Sequence, residues 1–317
     1  MNAMGTVLDA SPAVRGASPQ APAVSVVVPC YSGGRFLDAL AASLARQTFR
    51  DFETIIVDDG STDPLTLSKL AVLGASARVI RQDNRGPSAA RNAGVRAARA
   101  DILFMLDCDD TVEPSFLAET VPLLQAAPRE VGMVFTDLRL VGAETGIVPR
   151  YFNRFDLLFT NTLSSGLVLR KDVWRAVGGY DESMREGYED WDFSLRLAAA
   201  GYRGIEVEKP LYVYHIADED EDSRSSGVDH KRLYGRLWRD IRTKHAALYR
   251  PSSMLRLWRD SEGGHVPLWK GLAAYGLALV LPDVVFNALI ARLHRRHRAD
   301  KANPAYRGAA GEPRLVP

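Results

Sequence analysis

The 317-residue chain is 46% hydrophobic and 25% charged, ordinary values for a soluble globular protein, and is long enough for one large domain with an appendage or for two domains. A net charge of +1 gives the molecule as a whole no electrostatic claim on nucleic acid. Its two cysteines, Cys30 and Cys108, stand in no metal-binding spacing, which argues against a zinc module and suits reduced thiols in a cytosolic protein.

Residues 1–22, rich in Ala, Pro, Ser and Gly, lack the basic start and apolar core of a signal peptide and read as a flexible leader. VSVVVP (24–29) is a β-branched run ended by proline, as a buried parallel strand requires. RFLDALAASLARQ then sets Phe36, Leu37, Leu40, Ala41 and Leu44 at helical spacing. FETIIVDDGS gives a second strand that runs out into Asp58, Asp59 and Gly60. A helix over 64–73, a short strand at RVIRQ, a helix over 88–100 and a strand at DILFMLD follow. This alternation predicts an α/β fold with an open, mostly parallel sheet flanked by helices. In such sheets ligands bind beyond the carboxyl ends of the strands. Pro29–Tyr31, Asp58–Asp59 and Asp107–Asp110 are therefore expected to meet at one rim, with Cys30 and Cys108 as neighbours there.

After residue 113 the rhythm changes. EPSFLAETVPLLQ reads as a helix, VGMVFTDLRLV as a strand, and 150–166 as loop. GLVLRKDVWRAVGGY holds a short strand and a short helix. EDWDFSLRLAAAGY is a helix stopped by Gly201, and GIEVEKPLYVYH is strand-like. The acidic stretch ADEDEDSRSS that follows reads as a mobile loop able to order over a bound ligand. Beyond 228 the chain is basic and helical. Its last apolar segment, broken by Lys270, Pro282 and Asp283, suits a helix packed on the domain, one packed on a second subunit, or one lying on an anionic membrane surface. No uninterrupted run of about 18 apolar residues favours a spanning helix. The expected organisation is a leader (1–22), a catalytic domain (23–227), a helical, basic extension (228–300) and a flexible tail (301–317).

The stretch LFMLDCDDTV (103–112) runs a strand into three aspartates. Two chemistries end a strand this way. In a haloacid-dehalogenase-like phosphatase Asp107 would attack phosphorus and Asp109 would be the acid/base. In a nucleotide-sugar transferase Asp107 would touch the ribose or sugar, and Asp109 would bind a divalent metal that steadies a departing diphosphate. The phosphatase motif belongs on a first strand, whereas here three strand-ending units precede it.

Those units carry a resemblance. VSVVVPCYSGGRFLDALAASLARQTFRDFETIIVDDGSTD, NRGPSAARNAGVRAARADILFMLDCDD and GGYDESMREGYEDWDFSLRLAAAGYR resemble family 2 glycosyltransferases with a GT-A fold, in the family's order and over roughly residues 23 to 216. The resemblance implies a Rossmann-like sheet, to which the C-terminal helical extension is appended, and an inverting, nucleotide-sugar-dependent transferase. It places Pro29 and Tyr31 in the nucleobase loop. It makes Asp58 or Asp59 the acceptor for the base imide N–H, and Asn84, Arg85 and Arg91 the diphosphate contacts at a helix amino end. Asp109 becomes the ligand of Mn²⁺ or Mg²⁺, His215 a further metal contact, and Asp110 a turn cap. Asp190 is implied as the general base that deprotonates the acceptor hydroxyl, with Glu189 orienting it. TNTLSSG is expected to line the donor or the acceptor groove, and Trp191 either stacks on a sugar or belongs to the core. The donor would be a UDP-sugar and the acceptor a cell-surface glycan or its lipid-linked precursor. No nucleic-acid partner is expected. The location would be cytoplasmic, with peripheral membrane contact through the basic tail. A non-catalytic sugar-nucleotide-binding protein on the same fold is the remaining alternative.

Overall fold

The computed structural model describes residues 21–163, 166–185, 187–216, 230–261, 266–282, 285 and 313–316. The leader up to residue 20, the acidic stretch 217–229 and most of the tail beyond 283 lie outside these residues.

Strand β1 (Val24–Cys30) pairs in parallel with β2 (Phe52–Asp58) on one side and β4 (Ile102–Met105) on the other, and β3 (Arg78–Arg81) extends the sheet beyond β2. Helices α1 (Leu37–Ala45), α2 (Pro64–Leu73) and α3 (Pro87–Ala97) connect them. Helix α2 is capped by the Asp63 carboxylate, which accepts from Thr66 N at 2.7 Å, with Pro64 at its first position. The rest of the chain supplies β5 (Thr111–Val112), α4 (Phe116–Ala126), β6 (Val131–Gly142), β7 (Gly146–Val148), a 3₁₀ turn (Asp156–Leu158), β8 (Val168–Arg170), α5 (Lys171–Ala176), α6 (Glu189–Ala199) and β9 (Arg203–Ile216). The main path is β10-β9-β6-β8-β4-β1-β2-β3, where β10 is Arg314–Val316. The expectation of a mostly parallel sheet holds for β3-β2-β1-β4. Beyond β4 the sheet is mixed: β8 runs antiparallel to both β4 and β6, while β6 and β9 are parallel. Residues 314–316, expected in a flexible tail, instead pair antiparallel with β9 and cover its edge.

Both faces of the sheet are buried, which is why β1 is apolar at nearly every position. Val24, Val26 and Val28 join a core with Leu37, Leu40 and Leu44 of α1 and Phe116, Leu117, Val121 and Leu124 of α4. Val27 joins the opposite core with Ala90 and Val95 of α3 and Trp191, Phe193, Leu195 and Leu197 of α6. Helix α3 lies unusually close to the sheet. A Cβ on its Gly94 would stand 2.4 Å from Cγ1 of Val27, so only glycine permits the approach.

Three further helices, α7 (His230–Lys244), α8 (Pro251–Asp260) and α9 (Leu268–Val280), pack on this second core. Trp238, Tyr249 and Met254 are at most 1% exposed. Each contributes roughly 1.5–3 kcal/mol of apolar burial. Trp238 Nε1 and Tyr249 OH both donate to the Leu158 carbonyl, at 2.8 and 2.6 Å. The described helices of the basic extension are thus packed on the same core as the sheet. Among the described residues, no helix is long and apolar enough to cross a membrane.

Candidate active site

Strands β1, β2 and β4 end side by side. Asp59 N donates to the Cys30 carbonyl (2.8 Å), which fixes the rim where Tyr31, Asp58, Asp59 and Asp107 stand. Pro29 is the penultimate residue of β1, paired with Val57. Tyr31 is 44% exposed. The loop after it is pinned by Ser32 N to Ser61 Oγ (2.9 Å) and Gly34 N to Thr66 Oγ1 (2.8 Å). The two cysteines do meet: a Cβ on Gly33 would lie 2.7 Å from the Cys108 sulfur and 3.2 Å from that of Cys30. Both are buried free thiols, and the hydrogen bond with Cys30, together with burial, holds the Cys108 thiol well above its usual range.

Asp58 and Asp59 shape the rim as well as furnish it. Asp58 accepts from Ser61 N (2.9 Å) and pairs with Arg81 Nη1 (2.8 Å). Asp59 accepts from Gln82 Nε2 (2.7 Å), Arg85 N (2.9 Å) and Gly86 N (2.7 Å). A carboxylate has about four lone-pair directions, so Asp59 keeps about one for a ligand and Asp58 about two. Asp59 therefore sets the turn from which α3 starts.

Arg91 occupies the centre. Its guanidinium is 7% exposed, donates through Nη2 to Asp107 Oδ1 (2.7 Å) and through Nη1 to Glu189 Oε1 (2.6 Å), and lies 5.3 Å from the centre of the Tyr180 ring. One buried cation thus joins the β4 carboxylates to the start of α6. Arg85 and Asn84 make parallel links. Arg85 Nη2 pairs with Glu182 Oε2 (2.6 Å), and Arg185 Nη2 donates to Asn84 Oδ1 (2.9 Å). The three residues expected to meet a diphosphate all reach across to the 182–189 segment.

Beyond β4 the three aspartates separate by environment. Asp107 and Asp109 are partly exposed. Asp110 is 2% exposed, and burial together with the charges of Asp109 and Asp107 pushes its carboxyl well up. It does not cap the following turn as expected. It accepts instead from Tyr212 OH (2.7 Å) and His215 N (2.9 Å), because β5 pairs with β9 and brings those groups over it. His215 thereby sits at the same rim, its ring edge-on to Phe36 at 5.6 Å, and its buried Nδ1 has no hydrogen-bond partner among the described residues. Among the described residues no three His, Cys, Asp or Glu side chains cluster as a complete metal cage. Mn²⁺ and Mg²⁺ take one or two carboxylates and complete their shell with phosphate oxygen and water. The partly exposed carboxylate of Asp109 and the orphaned nitrogen of His215 fit such an ion.

Helix α6 opens the other half of the site. Tyr188, at its amino end, holds φ +65°, a left-handed conformation that costs a non-glycine residue of order 1–3 kcal/mol. Glu189 and Asp190 follow at once. Asp190 accepts from Trp191 N (2.7 Å) through Oδ1 and from Asn161 Nδ2 (2.8 Å) through Oδ2. Burial, then the charge of Glu189, pushes its carboxyl up to about 6, with Arg91 holding it back. A carboxylate so poised is ionised at neutral pH yet basic enough to take a proton. Trp191 is core: its ring is 1% exposed and Nε1 donates to the Leu157 carbonyl (2.7 Å).

Sequence reasoning named the segment around Asn161 but not its contact with Asp190. It missed Arg150, 2% exposed, whose guanidinium burial lowers to about 10 while the carboxylates of Asp190 and Asp137 hold it up. It also missed Glu182 and Arg185. These lie on irregular segments with no periodicity to mark them. A cavity of about 490 Å³ lies at the 178–182 turn, lined by Asn92, Trp174, Tyr180, Glu182, Arg196 and Lys244 among others. Its walls include none of the strand-end carboxylates, and the charges of Glu182, Arg196 and Lys244 are already paired.

Residues 25–156 match the family model described as glycosyl transferase family 2. Over 217 residues the chain is 30% identical to the O-antigen biosynthesis protein RfbC of Myxococcus xanthus, covering 66% of this chain and 17% of that protein. It is 31% identical over 228 residues to the succinoglycan biosynthesis protein ExoO of Rhizobium meliloti, covering 66% and 65%. The chain thus spans less than two thirds of the length of these two relatives. Among solved structures, S. aureus TarS 1-349 in complex with UDP-GlcNAc superposes with a TM-score of 0.57 at 20% identity, covering 69% of this chain and 65% of that one. The mannosyltransferase PcManGT from Pyrobaculum calidifontis, in complex with GDP-Man and Mn²⁺, superposes with 0.55 at 18% identity, covering 89% of each. At these identities the likeness is one of fold.

Proposed function

The chain belongs to glycosyl transferase family 2, and from that premise we propose that it transfers a sugar, with inversion, from a nucleoside diphosphate to an acceptor hydroxyl. UDP is the expected nucleotide. The observation that carries this reading is the Arg91 bridge, which sets a carboxylate of the strand-end group and the α6 acids on either side of one guanidinium.

Donor and acceptor are handled by different residues. The exposed ring of Tyr31 and the remaining lone pairs of Asp58 and Asp59 suit a nucleobase that offers a face and an imide N–H. Arg85, just before α3, and Arg91, in its first turns, suit the diphosphate. Asp107 suits the ribose or sugar hydroxyls. Asp190 takes the proton of the acceptor hydroxyl as its oxygen bonds to the anomeric carbon. The bond from that carbon to the diphosphate oxygen breaks, and its electron pair leaves with the diphosphate. A single displacement assisted by one base gives inversion. Mn²⁺ or Mg²⁺, held by Asp109 with His215, would supply the Lewis acid for the departing charge.

The phosphatase reading of DCDDT has little left to support it, since that motif ends the fourth strand and lies inside the matched family region. The acceptor is a growing surface glycan or its lipid-linked precursor, made at the cytoplasmic face. Support comes from the relatives named for O-antigen and succinoglycan biosynthesis. The test is hydrolysis and transfer across a panel of nucleotide sugars, with and without Mn²⁺. Turnover of one donor by the full chain is expected, lost in Asp190→Asn while nucleotide binding persists. Binding without turnover of any donor would instead mark a sugar-nucleotide-binding protein.

A further inference from the structure

Among the described residues, helix α9 meets the body through one side. A Cβ on Gly271 would stand 2.7 Å from Phe159 and 2.8 Å from Phe155, so helix and aromatic rings are in tight contact there. Tyr275 stacks on Tyr249 at 5.8 Å, and Arg242 Nη2 donates to the Ala278 carbonyl at 3.4 Å. These contacts fix which side faces out. Residues 269, 272, 273, 276, 277, 279 and 280 lie on that outer side, and all are exposed. Every one is apolar or glycine. Trp269 is 67% exposed, Leu279 63% and Val280 76%. Lys270 borders the row, its ammonium 5.6 Å from the Trp269 ring centre.

An apolar helix face of this kind is covered by something, and charge points to what. Residues 230–300 carry fourteen Lys and Arg against five Asp and Glu in a chain whose net charge is only +1. The positive charge is thus segregated into the part of the chain that holds the apolar face, which matches an anionic surface and repels a second copy of the same extension. A 13-residue helix is about 20 Å long, too short for the roughly 30 Å hydrocarbon core. Tryptophan at its edge with lysine beside it suits the headgroup boundary. We propose that the outer face of α9, centred on Trp269, Leu272, Leu279 and Val280, seats the enzyme on an anionic lipid bilayer. The proposal rests on the reading that the acceptor is built on a lipid-linked precursor, and it gives that reading a route. Asp190 is two contacts from α9: its neighbour Trp191 holds Leu157, and the flanking Phe155 and Phe159 hold Gly271.

The test is flotation of the full chain with vesicles of phosphatidylcholine alone or with about one third phosphatidylglycerol, using Trp269→Glu and Leu279→Glu, and Val72→Glu as an exposed control on α2. Binding is expected only to the anionic vesicles, weakened at least about tenfold by either α9 substitution, lowered by salt, and unchanged by Val72→Glu. Donor hydrolysis in vesicle-free buffer is expected to be unchanged in all three, so a failed lipid assay and a failed transferase reading stay distinguishable. Equal flotation of wild type and α9 variants would overturn the proposal. So would failure of the wild type to float, or a wild-type dimer that Trp269→Glu makes monomeric.

Discussion

Replacing Arg91 by methionine keeps an unbranched stem and removes the charge that joins the two halves of the site. The guanidinium is 7% exposed, and its partners Asp107 and Glu189 are 21% and 10% exposed, so solvent screens the network little. Taking one partner from such a network typically costs about 3–5 kcal/mol, because the acids left behind stay buried and charged. Arg91→Met is therefore expected to lower the urea midpoint by about 1–2 M at pH 8. Catalysis adds a second readout. Arg91, with the Trp191 N–H, holds Asp190 down to about 6 against burial and the charge of Glu189. With a pKa near 6, about nine in ten Asp190 side chains are ionised at pH 7. Losing a neighbouring opposite charge raises such a group by about one to three units. Activity needs the ionised form, so the acid limb of the donor-hydrolysis profile should move up by that amount, and part of the lost rate should return at pH 9. Arg91→Lys should fall between. An unchanged urea midpoint, together with an unmoved acid limb, would refute the bridge as the organiser of the site.

Two further substitutions probe contacts that span the molecule. Asn161→Ala removes a donor to Asp190 Oδ2 and should raise the acid limb by a fraction of a unit, lowering kcat at pH 7 more than it changes KM; a pH–rate series checks it, and Asn161→Gln should restore part of the loss. Gly271→Val drives a branched side chain into Phe155 and Phe159 and should cost at least about 1–3 kcal/mol, read as a lower Tm with donor hydrolysis retained by the folded fraction.

The order of elements was legible because it is local. β-branched runs, helical spacing and Asp-Gly or proline breaks specify β1 to β4 and α1 to α3 within a few residues of their observed bounds. The rule that ligands gather at the carboxyl ends of parallel strands then brought Tyr31, Asp59 and Asp107 to one rim. Only the tertiary structure decided what those residues hold. Arg91 and Glu189 are 98 positions apart, Asn161 and Asp190 are 29, and Tyr212 and Asp110 are 102. No period in the sequence encodes such pairs, because they depend on where β9 and α6 settle against the sheet. The same holds for α9. Its apolar residues were plain in the sequence, but which of them face Phe155 and Phe159 and which face outward depends on a glycine meeting two rings more than a hundred positions away.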